Sequence, residues 1–326
     1  MMARLLKNRE ILLVVAIAVL LALIALRFPA FVAPSNLARV YGDTSILVIL
    51  ALGQMAVILT RCIDLSMAAN LALCGMVAAM LNNAFPDLPI PLILVAVMVL
   101  GGFLGAINGT LVWKLNIPPI VVTLGTLTIY RGLIFVLTNG KWINAHEMSD
   151  AFKALPRLDV AGMPVLSWLS LVMVALMFLV MGRTPLGRAF YAVGGNPHAA
   201  VYTGIDVGRT RFFAYCLSGA LAGLSGYLWV SRYAVAYVDI AAGFELDIIA
   251  ACVIGGISIA GGIGSVAGAV LGALFLGVIK NALPVINISP FAQLAISGTV
   301  IIIAVAVNAR AERRKGRVIL KKAEAV

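Results

Sequence analysis

Long apolar runs alternate with short polar segments along almost the whole chain, and this pattern predicts membrane-spanning helices. Two of the clearest runs are "ILLVVAIAVLLALIAL" at Ile11–Leu26 and "IPLILVAVMVLGGFLGAINGTLVW" at Ile90–Trp113. A helix of about 17–25 apolar residues crosses a bilayer core, and backbone groups in lipid must bond within their own segment. We therefore predict an all-α, polytopic membrane helical bundle with about ten spans: 11–28, 45–60, 63–83, 90–113, 118–138, 163–182, 212–232, 248–260, 263–283 and 290–309.

Composition and charge place this bundle in a membrane with a definite orientation. The chain is 63% hydrophobic and 11% charged, whereas a soluble domain carries about 25% charged residues. Cytoplasmic loops carry an excess of Lys and Arg, and basic residues cluster at both ends of the chain and in one loop. Both termini are therefore predicted to be cytoplasmic. The predicted parts are a cytoplasmic N-terminus at 1–10, a transmembrane domain at 11–309 with a cytoplasmic loop at 183–211, and a basic cytoplasmic tail at 310–326.

The net charge of +11 is explained by this orientation, since basic loops and a basic tail lie beside anionic lipid. Nucleic acid is not needed as a partner. The sequence also has no GxxxxGK[ST] loop to cradle phosphates and no HExxH zinc motif. It has no paired intramembrane carboxylates for acid–base catalysis. The chain is therefore not expected to be an enzyme, and we expect it to bind no metal or cofactor of its own.

Glycines recur at helix-packing spacing in three rows: Gly101, Gly105 and Gly109; Gly219 and Gly223; and Gly264, Gly268 and Gly272. Small residues four apart let helix backbones approach closely in lipid. Packing within the chain is the favoured interpretation, with a subunit interface or a mobile helix pair as the alternative. The six glycines of "CVIGGISIAGGIGSVAG" make a continuous helix costly, so a break near Gly261–Gly264 is predicted, either beside a pathway or as a plain turn.

Polar side chains inside spans are candidates for a substrate pathway. A charge in hydrocarbon is costly and must face protein, water or the headgroup region. Arg131 is the leading charged candidate, with a structural role bonded to carbonyls as an equal alternative, and Asp64 could instead pair locally with Arg61. Uncharged groups suit a neutral, hydroxyl-bearing solute, although most such residues serve bonds between helices. The pathway candidates are Gln54, Asp64, Asn70, Asn108, Thr126 and Arg131.

The segment "GGNPHAAVYTGID" in the predicted cytoplasmic loop has the signals of a short helix. Asn196 is a good N-cap, Pro197 fits the first helical position, and Gly204 is placed to end the helix in a left-handed conformation. His198 and Tyr202, four residues apart, share a face, and Ala199 and Ala200 would give a close-approach surface beside them. A helix of about two turns is too short to be stable alone in water. It suits docking to a soluble partner, while packing on its own bundle is the alternative.

Three stretches of the chain resemble one family. They are "GRAFYAVGGNPHAAVYTGIDVGRTRFFAYCLSGALAGLSG", "ILTRCIDLSMAANLALCGMVAAML" and "IIAACVIGGISIAGGIGSVAGAVLGALFLGVIKNAL". All three are similar to bacterial ABC sugar-import permeases of the ribose type. "ILTRCIDLS" and "TLGTLTIYRGLIFVLTNGKWI" look most like the rhamnose and autoinducer-2 importers. Import permeases carry an "EAA…G" pattern in this loop that docks into a groove of the ATPase. The present chain matches it at Ala199, Ala200 and Gly204 but has His198 in place of the glutamate.

The resemblance implies the rest of the assembly. Two permeases, identical or paralogous, would form the membrane pathway in the bacterial inner membrane. ATPase subunits, which hold ATP and Mg, would bind below it, and a periplasmic binding protein would deliver a monosaccharide. The loop residues implied in ATPase coupling are Asn196, Pro197, His198, Ala199, Ala200 and Gly204. A secondary transporter or facilitator that works without ATP is the alternative function.

Overall fold

The structure is a computed structural model that describes residues 9–285 and the isolated positions 288, 289, 292, 295, 298, 299 and 302. Most of the predicted N-terminus 1–10, most of the predicted span 290–309 and the whole tail 310–326 lie outside these residues. The described range holds twelve α-helices: α1 (Arg9–Arg27), α2 (Pro34–Leu59), α3 (Met67–Ala84), α4 (Ile90–Lys114), α5 (Pro119–Thr138), α6 (Asp150–Ala154), α7 (Val165–Arg183), α8 (Pro185–Gly195), α9 (Pro197–Tyr202), α10 (Val207–Tyr233), α11 (Phe244–Ile254) and α12 (Val266–Val285).

The remaining described elements are small. Short 3-10 helices occupy Pro29–Val32, Ala145–Glu147 and Leu155–Arg157, and an antiparallel hairpin is formed by β1 (Asp159–Val160) and β2 (Met163–Pro164). Eight helices are long and apolar enough to cross a membrane, namely α1, α2, α3, α4, α5, α7, α10 and α12. This confirms the predicted class, a polytopic helical membrane bundle.

Two predicted spans differ from the helices that form. The predicted span 248–260 is the helix α11 with 11 residues, which at 1.5 Å per residue covers about 16 Å, roughly half of a bilayer core. Helix α2 begins at Pro34, well before the predicted start at residue 45. Its first turns carry polar residues, but the structure satisfies them. Asp43 forms an ion pair with Arg232, and the hydroxyls of Thr44 and Ser45 donate to carbonyls four residues earlier.

Helix α2 lies at the centre of the bundle, since its residues from Thr44 to Leu59 are buried. Helix α10 is also largely buried and packs against α2, and the largely buried α3 packs against α10, whereas α1 has no buried residue and lies outside, against α12. The long helix α10 makes its most extensive contact with α4. The core is therefore built on α2, α3, α4 and α10.

The glycine rows pack inside the chain, as favoured from the sequence. A Cβ added to Gly101 would overlap the carbonyl oxygen of Gly219, and one added to Gly105 would overlap backbone atoms of α10. Likewise, a Cβ on Gly268 would overlap the carbonyl of Gly255, which follows α11. Only glycine permits these backbones to touch, and van der Waals contact then replaces the hydrophobic drive that lipid cannot supply.

The connections gather at two ends of the bundle. The end that we call the loop face holds residues 60–66, 184–206 and 255–265, which contact one another. The opposite face holds residues 139–164 and 234–243, joined by paired backbone bonds between Ile143 and Ala236. Residues 255–265 are not helical, and positive φ values at Gly256, Gly261 and Gly262 confirm the predicted break. The break forms a turn between α11 and α12 on the loop face.

Candidate coupling loop and buried polar cluster

The predicted loop helix is present and ends as its sequence indicates. The side chain of Asn196 accepts a hydrogen bond from the Ala199 N–H at 3.1 Å, and Pro197 occupies the first helical position. At the other end Gly204 has φ of +82°. Its N–H donates to the Val201 carbonyl and the Ile205 N–H donates to the Ala200 carbonyl. This is the Schellman arrangement, which satisfies carbonyls that a helix end would otherwise leave unpaired.

The two sides of α9 have opposite exposure. Tyr202 is 91% exposed, and His198, Ala199 and Val201 are exposed beside it. Ala200, in contrast, is 3% exposed, so it packs beneath the helix and does not extend the outer surface. Of the two alanines that were expected to form a close-approach surface, Ala199 is exposed and Ala200 is not. The side chain of Ala200 seats α9 on the bundle, and the exposed residues are those available to a partner.

Helix α8, which was not predicted from the sequence, directly precedes α9 and positions it. It begins with the same local chemistry as α9: Thr184 accepts from the Gly187 N–H at 3.2 Å, and Pro185 follows at the first helical position. Its inner face buries Phe190 and Val193. The signal was therefore present in "TPLGRAF", a cap and proline followed by apolar residues at helical spacing. We call α8 and α9 together, residues 184–206, the loop unit.

The loop unit is fastened to the bundle by close backbone contacts and by Arg61. Nε and Nη2 of Arg61 donate to the carbonyls of Gly194 and Gly195 at 2.8 and 3.0 Å. A Cβ added to Gly194 would overlap both the Leu59 carbonyl oxygen and the Gly262 nitrogen. Binding of a guanidinium by the last carbonyls of a helix is favourable, because these carbonyls carry the negative end of the helix dipole. The predicted local pair of Arg61 with Asp64 does not form.

A second contact joins the loop unit to the turn between α11 and α12. The hydroxyl of Tyr191, on α8, donates to the Gly264 carbonyl at 3.1 Å. Burial raises the pKa of the Tyr191 phenol above its ordinary value, because removal from water disfavours the phenolate. The hydroxyl therefore remains a donor at neutral pH, and this link is not sensitive to physiological changes in pH.

Three pathway candidates meet in a buried polar cluster that includes two residues of the linker 60–66. One carboxylate oxygen of Asp64 accepts from the Ser66 N–H and hydroxyl at 2.9 and 2.6 Å, and the other faces the Ser218 hydroxyl at 3.5 Å. Oriented to satisfy both groups, the Gln54 amide pairs with the Asp64 N–H and carbonyl at 3.2 Å each. Asn108 donates to the Ser66 hydroxyl at 2.8 Å. We call Gln54, Asp64, Ser66, Asn108 and Ser218 the polar cluster.

The polar cluster is shielded from solvent in this structure. Asp64 is 2% exposed, and the other four members are fully buried. The side-chain oxygen of Asn108 lacks a hydrogen-bond partner among the residues that the structure describes. Ser66 and Ser218 carry no signal that distinguishes them in the sequence, which is why they were not among the predicted residues. The cluster orders the start of α3 against α2, α4 and α10.

The other uncharged candidates bond within or between helices. Asn70 donates to the Gly101 carbonyl at 3.1 Å and accepts from the Cys74 thiol. The Thr126 hydroxyl donates to the Val122 carbonyl at 3.1 Å, one turn back on α5. Both side chains are buried. Their pathway role stays a prediction, and the bonds that the structure gives them serve helix packing.

Arg131 lies on α5 near the opposite face, far from the loop unit. Its Nη1 donates to the carbonyls of Val238 and Ile240 at 2.5 and 2.7 Å, which is the carbonyl-bonded arrangement expected for a structural cation. The guanidinium thereby holds the segment 234–243 against α5. Arg131 is not brought together with the polar cluster by any described hydrogen bond.

Within the part of the chain that the structure describes, no three His, Cys, Asp or Glu side chains are grouped to hold a metal ion. The molecule combines a deep polar cluster, a bundle packed through glycines and a capped helix displayed on one face. The fold is that of a polytopic membrane protein, with eight described helices of membrane-spanning length and a loop unit exposed at one end of the bundle.

Comparisons with known proteins agree with that class. The family model described as "Branched-chain amino acid transport system / permease component" matches residues 36–305, and the chain belongs to this family of transport permeases. The ribose import permease protein RbsC of Haemophilus influenzae is 36% identical over 293 residues, which cover 89% of this chain and 90% of that protein.

The autoinducer 2 import system permease protein LsrC of Shigella flexneri is 37% identical over 303 residues, covering 93% of this chain and 87% of that protein. The LsrC of Escherichia coli K12 / DH10B has the same identity and coverage. No solved structure matches the chain. The resemblance to ribose-type import permeases is confirmed, and the chain is a multi-pass membrane protein of a transport system.

Proposed function

We propose that this chain forms the membrane pathway of an ATP-driven importer for a monosaccharide or a similar small polyol. The observation that carries the proposal is α9, a capped helix seated by Ala200 that displays His198 and Tyr202 on the loop face. Packing of Ala200 on the bundle supplies the tertiary contact that a helix of this length requires, and the opposite side of α9 stays exposed. Its exposed side fits a groove of a soluble subunit.

ATP hydrolysis is assigned to a separate chain. The sequence has no phosphate-binding GxxxxGK[ST] loop, so the ATP and Mg of the proposed importer are assigned to the partner chain. In the proposed assembly two ATPase subunits bind the loop face, which is then cytoplasmic. A second copy of the permease or a paralogue completes the pathway, and a periplasmic binding protein docks on the opposite face. The membrane is the bacterial inner membrane, with both termini in the cytoplasm.

The substrate class rests on the names of the relatives, which import ribose and autoinducer 2. Uncharged amides and hydroxyls dominate the polar side chains of the buried spans, and these suit a neutral solute without the desolvation cost of a charge. Rhamnose belongs to the same chemical class and remains part of the proposal. The family description names branched-chain amino acids, so leucine is the informative competitor.

Uptake measurements separate the proposed importer from a facilitator. Cells that express the whole transport system would be given labelled ribose, rhamnose or autoinducer 2, with leucine as competitor. Uptake of one of the three should persist when a protonophore collapses the proton gradient and should stop when ATP is depleted. Leucine should not compete. Uptake that needs the proton gradient, or that continues without ATP, would assign the facilitator function instead.

A further inference from the structure

The linker 60–66 joins the loop unit to the polar cluster. It begins where the Leu59 carbonyl accepts from the Gly262 N–H at 3.0 Å, directly beneath Gly194. It ends at Ser66, which bonds Asp64 in the polar cluster. The linker is therefore a second connection between the loop unit and the buried interior, beside the covalent one through α10, which carries Ser218.

Hydrogen bonds hold this linker along its length. The Thr60 carbonyl accepts from Arg211 Nε at 3.3 Å. The Ile63 carbonyl accepts from the Tyr215 hydroxyl at 3.3 Å, and the backbone of Asp64 is paired with Gln54. Because Thr60, Ile63 and Asp64 are each bonded to a helix, the linker is restrained along its length. A displacement at one end is therefore passed to the other end.

Arg61 is the linker residue whose side chain is hydrogen-bonded to the loop unit. Among the described residues, its two bonds to Gly194 and Gly195 are the side-chain hydrogen bonds that join the loop unit to residues 60–66. Its backbone lies in the left-handed region with φ of +63°, where arginine is rarely found. Such conformations persist where the surroundings fix them, and they recur at switch regions.

We infer that Arg61 is a positioning residue that transmits movement of the loop unit to the linker and so to the polar cluster. This inference rests on the proposed function, in which an ATPase moves α9. When the loop unit moves, the carbonyls at the end of α8 displace the guanidinium of Arg61 that is bonded to them. The linker then carries this displacement to Asp64 and Ser66. The chain of backbone and side-chain contacts gives this coupling a physical route, as a coupling claim requires.

The test uses hydrogen exchange on the assembled importer, with the permease, its ATPase partners and the membrane intact. Exchange would be followed in peptides covering α9 and residues 60–70, with and without Mg-ATP. In the wild type both peptides should respond to Mg-ATP. In Arg61→Met, which removes the donors and keeps an unbranched side chain, α9 should still respond while the response of 60–70 falls several-fold. Arg61→Lys, which can reach one carbonyl, should give an intermediate response.

Arg188→Met is the matched control, because Arg188 is exposed on α8 and its described bond, at 3.4 Å, is to the Arg183 carbonyl next to the same unit. It should leave both responses unchanged. An equal response of 60–70 in Arg61→Met and wild type would overturn the inference. So would loss of ATPase association in Arg61→Met, which would make Arg61 a partner contact. If wild-type α9 itself does not respond to Mg-ATP, the proposed function fails instead, and the two failures are distinct.

Discussion

The cap of α9 offers a quantitative test of how the displayed helix is held. In Asn196→Ala the bond to the Ala199 N–H is lost, and removal of an N-cap side chain costs about 1 kcal/mol. The bond is exposed, so water replaces part of it and a value much above this is not expected. Helix opening should then become about fivefold more frequent, since local opening sets the exchange rate of the protected amides.

Hydrogen exchange of the peptide 197–205 in the purified, membrane-reconstituted protein measures this directly. Thr184→Ala is the matched control, because Thr184 caps α8 through the same type of bond ahead of a proline. Asn196→Ala should accelerate exchange in α9 and leave α8 near its wild-type rate, while Thr184→Ala should do the reverse. Unchanged exchange in α9 of Asn196→Ala would refute the argument. It would mean that Ala200 and the glycine end hold the helix without its cap.

Three further predictions concern the bundle. Gly101→Leu should lower the apparent melting temperature, because overpacking against α10 costs about 1–3 kcal/mol. Gly125→Leu should melt like wild type, because a Cβ at Gly125 meets open space. Equal melting temperatures of the two variants would contradict the packing argument. Arg131→Met should lower the free energy of unfolding by about 1.5–3 kcal/mol, because charged hydrogen bonds are lost. An unchanged melting temperature together with abolished uptake would instead support the pathway role of Arg131. Asp64→Asn keeps an acceptor for Ser66 and removes a buried charge, so its melting temperature should equal or exceed that of the wild type. A melting temperature as low as that of Asp64→Ala would show that the charge itself is needed.

The parts of the fold that local chemistry decides could be read from the sequence. The cap, the proline and the terminal glycine of α9 act on their own backbone, so the helix was predictable to within a residue. Apolar runs located seven of the spans closely, because the bilayer fixes their length. The break between α11 and α12 followed from the cost of repeated glycines.

What the sequence could not provide depends on partners distant along the chain. The start of α2 was misplaced because Asp43 reads as a loop residue until Arg232 is known to pair with it. Arg61 and Asp64, three residues apart, suggested a local pair. The structure instead sends Arg61 to α8 and encloses Asp64 among Gln54, Ser66 and Ser218. Burial of Ala200 likewise depends on which side of α9 faces the bundle.

The central claim is that α9 meets an ATPase, and photo-crosslinking in native membranes tests it most directly. The tagged full chain would carry a photoreactive phenylalanine analogue in place of Tyr202, which is 91% exposed on α9. A second version would carry it in place of Ile129, which is 56% exposed on α5. We predict that irradiation joins the Tyr202 version, and not the Ile129 version, to a chain with a GxxxxGK[ST] motif. Active uptake without any such product from the Tyr202 version would contradict the account.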